Sequence, residues 1–574
     1  MSDMSGFVTT ARWFGPKERP LCGWWTEPAA GAGTHAVVIA PPIGYEYWSS
    51  YRTLRVLAEK LATNGHGVLR LDYDGLGDSA GDRWDEGRVA AWRASLAHAV
   101  AEVRALGCSH VTLMGLRVGA TFALTEGAAL EVDRVVAWVP VTSGKRFMKE
   151  LRMLGLAVPA TEARPQPGNT IVYAGTVFSP ETQAAMNVVD TDKLAAAPAK
   201  RVLIVARPDR PCEATIARLR ALGAETDVQV LDGAETALDI PAEGATVPEH
   251  IVDAIAAWIG PGTFGGADAA AKRGRAEAEG RADGEAGGPG VAPRAAAGIN
   301  PRTRAEISLN GGALVEEVIE LGDPPLVAIL GTPAGAAPAK DAIVVWLNSG
   351  SEPHTGPGRC WVEYTREMNL RGWPTLRLDF SGWGESPDRG HAPGRPYDAH
   401  CIDEAIASVA ALRARGYERV VLAGLCAGAW IGMRASLLSH VDAVIAINPQ
   451  LYWFPGEPLD VRIIDTLERR NVIRAREHAK GAKWTMLDRL GMMNYPGRWL
   501  TALAKKRAKI HLLFAEGDEG LIYLHNRLER LFTRVTAPGS SITLAQVDDV
   551  DHQMYREWRR GDVVATMVEY LDTL

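Results

Sequence analysis

At residues 420–429 the chain reads Val420-Val-Leu-Ala-Gly-Leu-Cys426-Ala-Gly428-Ala, an apolar run that ends in a turn between two glycines and continues as a helical pattern. In a strand–turn–helix of this kind, the glycines allow a strained turn that lifts the middle side chain above the sheet. The first N–H groups of the helix then point at any anion bound beside that side chain. The stretch therefore predicts that Cys426 is presented at the carboxyl end of a buried strand.

A second copy of this pattern lies 309 residues earlier, as Val111-Thr-Leu-Met-Gly-Leu-Arg117-Val-Gly119-Ala. The two copies differ at the residue that the turn presents, because Arg117 stands where the later copy has Cys426. An arginine side chain does not serve as a nucleophile, whereas a cysteine does. We therefore expect covalent chemistry at the second turn only.

Further repeats indicate that a whole domain is duplicated. Leu69-Arg-Leu-Asp-Tyr-Asp-Gly-Leu-Gly77-Asp-Ser79 recurs as Leu376-Arg-Leu-Asp-Phe-Ser-Gly-Trp-Gly384-Glu-Ser386, and residues 201–209 match residues 510–518. Apolar strands alternate with helical patterns in both copies, which predicts a mostly parallel, doubly wound α/β sheet in each. The number of residues from the turn at Arg117 to the strand that begins at residue 201 equals the number from Cys426 to residue 510. We interpret the segment between turn and strand as a cap insertion in each copy.

The length agrees with two domains. A chain of 574 residues is too long to fold around one hydrophobic core and is long enough for two domains of about 250 residues. We predict a first domain over residues 1–260 and a second over residues 301–574. Residues 261–300 are rich in Ala, Gly and charge without apolar periodicity, which predicts a flexible, disordered linker. An Ala-rich helix over 267–282 is the alternative interpretation of that linker.

Composition narrows the classes of function. The net charge is −7, with 47% hydrophobic and 23% charged residues, which gives no electrostatic reason to expect a nucleic-acid partner. The amino terminus lacks the features of a signal peptide and no stretch approaches about 18 apolar residues, so we expect a soluble, cytoplasmic protein without a membrane span. The six cysteines are irregularly spaced, so we expect neither disulfides nor a metal, and no other cofactor.

The second half contains a candidate catalytic triad in the chain order nucleophile, acid, histidine. Cys426 occupies the turn, Asp518 ends the apolar strand at 512–515, and His552 follows the strand at 542–546. A thiol at a helix N-terminus beside a histidine is expected to ionise more readily than a free cysteine. Asp518 is preferred as the acid because it matches Asp209 of the first copy, and its competitors are Glu516, Asp548, Asp549 and Asp551.

An acyl-transfer site also needs two donors for the developing oxyanion. The N–H of Ala427, directly after the nucleophile, is one candidate. The glycine-rich loop after the strand at 342–347 supplies the others, and we assign Ser349 and Gly350. From the same loop, His354 and Arg359 are predicted either to hold a substrate carboxylate or phosphate over the site, or only to pin the loop.

These residues resemble the α/β-hydrolase superfamily, in the branch of serine aminopeptidase S33-like and exosortase-associated hydrolases. The resemblance covers roughly 35–260 and 340–572, and it implies the fold and the roles of Cys426, Asp518 and His552. The branch includes hydrolases, esterases, thioesterases and acyltransferases, so the substrate stays open. Cys426 departs from the usual serine, which argues against ordinary peptidase or lipase activity.

The first half departs further from that pattern. Arg117 replaces the nucleophile, Ile240 stands where the histidine is expected, and His250 falls on the last predicted helix. Only Asp209 of the triad remains. We interpret this half as a degenerate hydrolase domain, in which Arg117 either binds an anion, pairs with Asp209, or belongs to a scaffold.

The sequence thus favours a cysteine-dependent acyl hydrolase or acyltransferase. Its expected substrate is a small-molecule ester, thioester or lactone, free or bound to a carrier protein. A dienelactone-type lactone hydrolase is one alternative, because that chemistry also uses Cys, Asp and His. A non-catalytic tandem binding or scaffold protein is the other.

Overall fold

The computed structural model describes residues 6–157, 169–173, 175–242, 244–262, 302–335, 341–391, 395–451, 496–554 and 556–574. The chain forms two large sheets, one built from residues 7–230 and one from residues 304–547. We refer to residues 1–260 as the first half and to residues 301–574 as the second half. The predicted linker at 261–300, with its alternative helix at 267–282, lies almost entirely outside the described residues.

The first half contains an eight-stranded sheet in the order β1-β2-β4-β3-β5-β6-β9-β10. Strands β1, β2 and β4 pair antiparallel, and every pair from β4 to β10 is parallel. Its strands are β1 (Phe7–Phe14), β2 (Leu21–Pro28), β3 (His35–Ala40), β4 (Gly67–Leu71), β5 (His110–Leu116), β6 (Arg134–Trp138), β9 (Arg201–Ala206) and β10 (Glu225–Val230).

Helices cover both faces of this sheet. Between β6 and β9 the chain adds two helices and a small hairpin, β7 (Ile171–Tyr173) and β8 (Thr176–Phe178), which form the cap insertion of this half. The helices are α1 (Tyr45–Thr63), α2 (Arg88–Ala105), α3 (Val118–Glu126), α4 (Gly144–Ala157), α5 (Pro180–Asn187), α6 (Glu213–Ala221), α7 (Glu235–Leu238) and α8 (Glu249–Ile259).

The second half contains a nine-stranded sheet in the order β11-β12-β13-β15-β14-β16-β17-β18-β19. The strands are β11 (Arg304–Leu309), β12 (Gly312–Leu321), β13 (Leu326–Pro333), β14 (Ala342–Trp346), β15 (Thr375–Leu378), β16 (Arg419–Leu425), β17 (Ala443–Ile447), β18 (Ile510–Ala515) and β19 (Ile542–Val547). The helices are α9 (Cys360–Leu370), α10 (Ala399–Ala414), α11 (Ala427–Leu438), α12 (Pro496–Lys506), α13 (Glu519–Val535) and α14 (Arg560–Leu571). Most of the predicted second cap lies outside the described residues.

The two sheets share one topology. The parallel strand order β4-β3-β5-β6-β9-β10 has its counterpart in β15-β14-β16-β17-β18-β19. Alternate residues of the buried strands enter different cores, as in β3, where Ala36 and Val38 pack on one face of the sheet and Val37 and Ile39 on the other. This burial on both faces explains why the strands read as continuous apolar runs. The predicted fold class, two mostly parallel doubly wound sheets, is confirmed.

The halves contact each other through their antiparallel edges and their duplicated glycine-rich turns. The backbone N–H of Trp13, in β1, donates to the carbonyl of Arg302, just before β11, at 2.7 Å. Arg55 of α1 donates from Nη1 to the carbonyls of Gly384 and Ser386, at 2.7 and 2.8 Å. Buried charged groups on both sides extend this interface. The segment that follows β15 of the second sheet therefore lies beside the first half.

Candidate active site

The two strand–turn–helix turns have the strained backbone that their sequence predicts. Cys426 lies between β16 and α11 with φ of 53°, and Arg117 lies between β5 and α3 with φ of 55°. A side chain at Gly424 would meet the backbone of Gly428 at 2.5 Å, so glycine is required where strand and helix cross. This strain places Cys426 at the carboxyl edge of the sheet, half-buried while the other five cysteines are buried.

Asp518 and His552 form a direct pair beside the turn. The Nδ1 atom of His552 lies 2.6 Å from Oδ2 of Asp518. The other oxygen, Oδ1, accepts the backbone N–H of Gly520 at 2.8 Å, at the start of α13. The Asp518 carboxylate is buried, with a side chain 1% exposed, so both its oxygens are held by the protein. This arrangement fixes the orientation of the His552 ring.

The Cys426 side chain lies close enough to His552 to affect its pKa. Burial of the imidazole lowers that pKa, but Asp518 and Cys426 outweigh burial and raise the pKa of His552 to about 10. The structure thus brings together the three side chains that the sequence singled out as a triad.

The other candidate acids lie elsewhere. Glu516 is exposed, and Asp548 is exposed at the end of β19. Asp549 pairs with Arg556 and accepts the indole N–H of Trp558 at 3.0 Å. Among the described carboxylates, Asp518 is the one in hydrogen-bonding contact with His552.

The candidate oxyanion donors lie where the loop after β14 meets the first turn of α11. A side chain at Gly428 would come within 2.8 Å of the Asn348 carbonyl, which shows how closely the loop and helix pack. Within the described chain, the backbone N–H groups of Ser349, Gly350 and Ala427 donate to no protein acceptor. These three N–H groups are therefore available to an oxygen bound beside Cys426.

Of the two alternatives for His354 and Arg359, the one in which they hold a substrate over the site does not fit the structure, because both side chains are buried between the halves. His354 places Nδ1 2.6 Å from Asp379 and Nε2 2.6 Å from Asp78 of the first half. Arg359 donates to the carbonyls of Gly77 at 2.8 Å and of Ser79 at 2.7 Å. The positions of His354 and Arg359 depend on hydrogen-bond acceptors in the first half. The sequence of the second half alone does not predict these partners.

The degenerate turn of the first half is also rearranged relative to expectation. Arg117 does not pair with Asp209: its Nε donates to Glu46 at 2.7 Å, while Asp209 pairs with Arg207 at 2.9 Å. His250 lies on α8 with a side chain 54% exposed, as predicted, and contacts the carbonyl of Asp232. The turn geometry is retained here, but no triad is assembled from the described residues.

Three residues near Cys426 were not predicted. The hydroxyl of Tyr397 lies 3.4 Å from the Cys426 sulfur, and Gln450 places Nε2 3.5 Å from Nε2 of His552. Asn448 donates to the carbonyl of His552 at 2.9 Å and accepts the N–H of Ala515 at 2.7 Å, so it ties the histidine loop to β18. The signal for Asn448 and Gln450 was present: polar residues at 448–450 directly follow β17, at the edge where the other site residues lie.

One group of described residues has the donor types of a metal site. Ligand atoms of Cys22, Asp72 and Asp78 lie within 4.8 Å of one another. The carboxylates already accept the Tyr47 hydroxyl at 2.7 Å and His354 at 2.6 Å, and burial raises the pKa of the Cys22 thiol well above its usual value. A protonated thiol among hydrogen-bonded carboxylates fits an interface network better than a metal centre. Among the described residues, no helix has the length and apolarity needed to cross a membrane.

Comparisons with known proteins agree with this architecture. Residues 344–572 match the Alpha/beta hydrolase family. Similar solved structures include a serine hydrolase without a lid from Xanthomonas campestris, at 14% identity and a TM-score of 0.30 over 45% of this chain and 94% of that one. Another is Est1E from Butyrivibrio proteoclasticus with bound ferulic acid, at 15% identity and a TM-score of 0.33 over 43% of this chain and 97% of that one. A third is dienelactone hydrolase from Anabaena variabilis, at 13% identity and a TM-score of 0.30 over 47% of this chain and 99% of that one.

A comparison with curated proteins gave no significant match. The protein therefore has the α/β-hydrolase fold, with two sheet-containing regions of which the second matches the family. The subtypes that the sequence suggested, S33-like and exosortase-associated, rest on the quoted motifs alone.

Proposed function

We propose that the second half is a cysteine-dependent acyl hydrolase or acyltransferase that acts on an ester, thioester or lactone. The observation that carries the proposal is the 2.6 Å hydrogen bond between Asp518 and His552, with Cys426 presented near this pair on a strained turn. Nucleophile, base and orienting acid are the three parts that acyl transfer in this fold requires.

In the proposed resting state the proton lies on His552 and the sulfur of Cys426 carries the negative charge. The sulfur attacks the substrate carbonyl carbon, and the C=O electron pair moves onto oxygen. This oxygen accepts hydrogen bonds from the N–H groups of Ala427 and of residues 349–350. As the C–O or C–S bond to the leaving group breaks, His552 gives its proton to that group. An acyl-thioester on Cys426 remains.

The second step returns the site to its starting state. A water, amine, alcohol or thiol loses a proton to neutral His552 and attacks the acyl-thioester. The bond to sulfur breaks, the acyl group leaves on the acceptor, and the imidazolium–thiolate pair forms again. Thioesters react more readily with amines and thiols, relative to water, than oxygen esters do, so transfer is a natural outcome beside hydrolysis.

The proposed nucleophile bears on the substrate. A single cysteine with the Asp518–His552 pair suits a carbonyl that carries a good leaving group or lies in a strained ring. A carrier-bound acyl group stays among the proposed substrates. A dienelactone-type lactone is the main alternative, and the same triad chemistry would open its ring.

Steady-state turnover of a panel of p-nitrophenyl esters, N-acetylcysteamine thioesters and an enol-lactone tests the proposal. Cys426→Ala and His552→Ala are expected to lose nearly all turnover while keeping the wild-type circular dichroism spectrum. Cys212→Ala, a buried cysteine of the first half, serves as the matched control and should keep full activity. Wild-type turnover in both site variants would contradict the assignment of Cys426 and His552, and no turnover of the whole panel by the wild-type protein would favour the scaffold alternative.

A further inference from the structure

The degenerate turn of the first half borders a cavity of about 240 Å³. Arg117 lies at this cavity, between the first turn of α1, the cap helix α4 and the β7–β8 hairpin. Its lining includes Ile43, Glu46, Phe147, Leu151, Tyr173 and Thr176. The cavity occupies the position that corresponds to a substrate site, although no nucleophile remains there.

Arg117 keeps most of its hydrogen-bonding capacity unused. The residue is 4% exposed, and among the described residues its one side-chain hydrogen bond is from Nε to Glu46, at 2.7 Å. Nη1 and Nη2 make no bond to the described chain. A buried guanidinium carries a high cost of desolvation unless its N–H groups find acceptors. Arg117 therefore lines the cavity with two donor groups that have no acceptor among the described residues.

Two further polar groups at this cavity lack partners. Oε2 of Glu46 and Oγ1 of Thr176 are both buried without a hydrogen bond, and Thr176 is 5% exposed. Burial raises the pKa of Glu46, partly offset by the charge of Arg117. Two further charged pairs involve the lining: Arg210 pairs with Glu150 at 2.6 Å, and Asp239 pairs with Arg207 at 2.7 Å.

Most of the rest of the wall is apolar. Phe147 and Phe178 lie edge to face at 6.4 Å between ring centroids, and Tyr173 and Leu151 complete this side. At about 30 Å³ per water, 240 Å³ corresponds to about eight waters, which is below the size of most drug-sized sites. The space suits a small organic molecule with one charged end, and the aromatic wall has no use in binding a bare inorganic ion.

We propose that this cavity binds a small organic carboxylate, with its two oxygens on Nη1 and Nη2 of Arg117 and its apolar body against Phe147 and Phe178. The fork of a guanidinium matches the two oxygens of a carboxylate, which gives both strength and orientation. Thr176 supplies a further donor at the same end of the cavity. This site is separate from the proposed chemistry at Cys426 and does not depend on it.

Calorimetric titration of the full-length protein with benzoate and with phenylacetate tests this site, with benzamide as the neutral analogue and inorganic phosphate as the bare anion. Benzoate or phenylacetate should bind saturably at one site, and benzamide and phosphate at least about tenfold more weakly, as the loss of a charged hydrogen bond implies. Equal binding of phosphate, or no saturable binding of either carboxylate, overturns the proposal.

Two substitutions are expected to change the carboxylate affinity in opposite directions. Arg117→Met should weaken carboxylate binding at least about tenfold, while Glu46→Gln should strengthen it, because Glu46 competes with the ligand for the same guanidinium. Arg201→Met, on an arginine whose side chain is 40% exposed and away from the cavity, is the matched control and should bind normally.

Arg117→Met leaves Glu46 without its partner, so folding is checked by thermal unfolding. Leu151→Trp provides an independent variant, since it fills the cavity from α4 without touching Arg117, and it should abolish binding as well. Unchanged carboxylate affinity in both Arg117→Met and Leu151→Trp would place the bound molecule elsewhere and overturn the proposal.

Discussion

Arg377 of the second half donates from Nη2 to Oδ1 of Asp78 in the first half, at 2.8 Å. The reciprocal pair joins Arg70 of the first half to Glu385 of the second, at 2.9 and 2.5 Å. The arginines occupy equivalent positions in the duplicated motif, and so do the two acids. The halves therefore meet through equivalent surfaces, each motif supplying one arginine and one carboxylate to the other half.

Loss of one of these interface charges should destabilise the protein strongly. Arg377 also donates to Glu316, so Arg377→Met leaves two buried carboxylates without this partner. We expect the free energy of unfolding to fall by about 3–5 kcal/mol, measured by denaturant titration. Arg371→Met, on an exposed arginine of the same half paired with Glu367, should cost less than about 1 kcal/mol. Equal effects of the two substitutions would contradict this account of the interface.

The interface should also make stability depend on pH. Burial lowers the pKa of His354, but Asp379 and Asp78 outweigh it and raise that pKa well above 6.5. The stabilisation is therefore complete below pH 6.5 and is lost as the pH rises through the folded-state value, by about 1.4 kcal/mol per pH unit at most. In His354→Gln, the loss of stability relative to wild type should be largest below pH 6.5 and should shrink above it. If the difference in unfolding free energy between wild type and His354→Gln stayed constant from pH 6 to 9, a stabilising protonated His354 would be excluded.

Alkylation should separate Cys426 from the other cysteines. Five of the six are buried, and Cys426 alone is half-buried. Brief treatment of the native protein with iodoacetamide should therefore add one group, at Cys426, and treatment in denaturant should add six. His552→Ala should slow the native reaction, because the imidazole no longer takes the proton from sulfur. Peptide mass mapping gives the site, and early labelling of a cysteine other than Cys426 would argue against the described burial.

Asp518→Asn should impair catalysis without unfolding the protein. The amide keeps the size of the carboxylate but weakens its hold on Nδ1 of His552, so the pKa of His552 should fall and the ring should lose its orientation. We expect kcat to fall by about 10²–10⁴-fold. Asp548→Asn, on an exposed residue near His552 in sequence, is the matched control. Comparable losses in both variants would mean that the acid has been misassigned.

A smaller effect is expected at Tyr397, whose hydroxyl lies 3.4 Å from the Cys426 sulfur. Tyr397→Phe removes this contact and keeps the packing of the ring against Trp430 at 5.3 Å. A hydrogen bond to the charged sulfur is worth about 1.5–3 kcal/mol, so the rate of Cys426 acylation should change by about tenfold or more. Single-turnover kinetics measures that rate, and no change would restrict Tyr397 to packing.

The sequence predicted the fold and the contact between Asp518 and His552 because both depend on local pattern. Continuous apolar strands, a glycine on each side of Cys426, and the chain order of Asp518 and His552 are all visible in one copy of the repeat. Duplication strengthened the assignment, since Asp518 was chosen by its match with Asp209. These features need no knowledge of how distant segments pack.

The residues that were misplaced depend on contacts between the halves. His354 and Arg359 lie on the glycine-rich loop after β14, and each contacts acceptors of the first half. Arg117 was expected to bind an anion, to pair with Asp209 or to belong to a scaffold, and its Nε donates to Glu46 of α1. The partner of a long charged side chain depends on which groups lie within several ångströms of it in the folded protein. Spacing along the sequence does not give that information.

The central claim is that Cys426 carries the acyl group. Rapid-quench mixing of the full-length protein with p-nitrophenyl acetate, followed by intact-mass and peptide analysis, tests it most directly. We predict one acetyl group on the peptide that contains Cys426, released by hydroxylamine, and none in Cys426→Ala. An acetyl group on another residue, or wild-type release of p-nitrophenol by Cys426→Ala, would contradict the account.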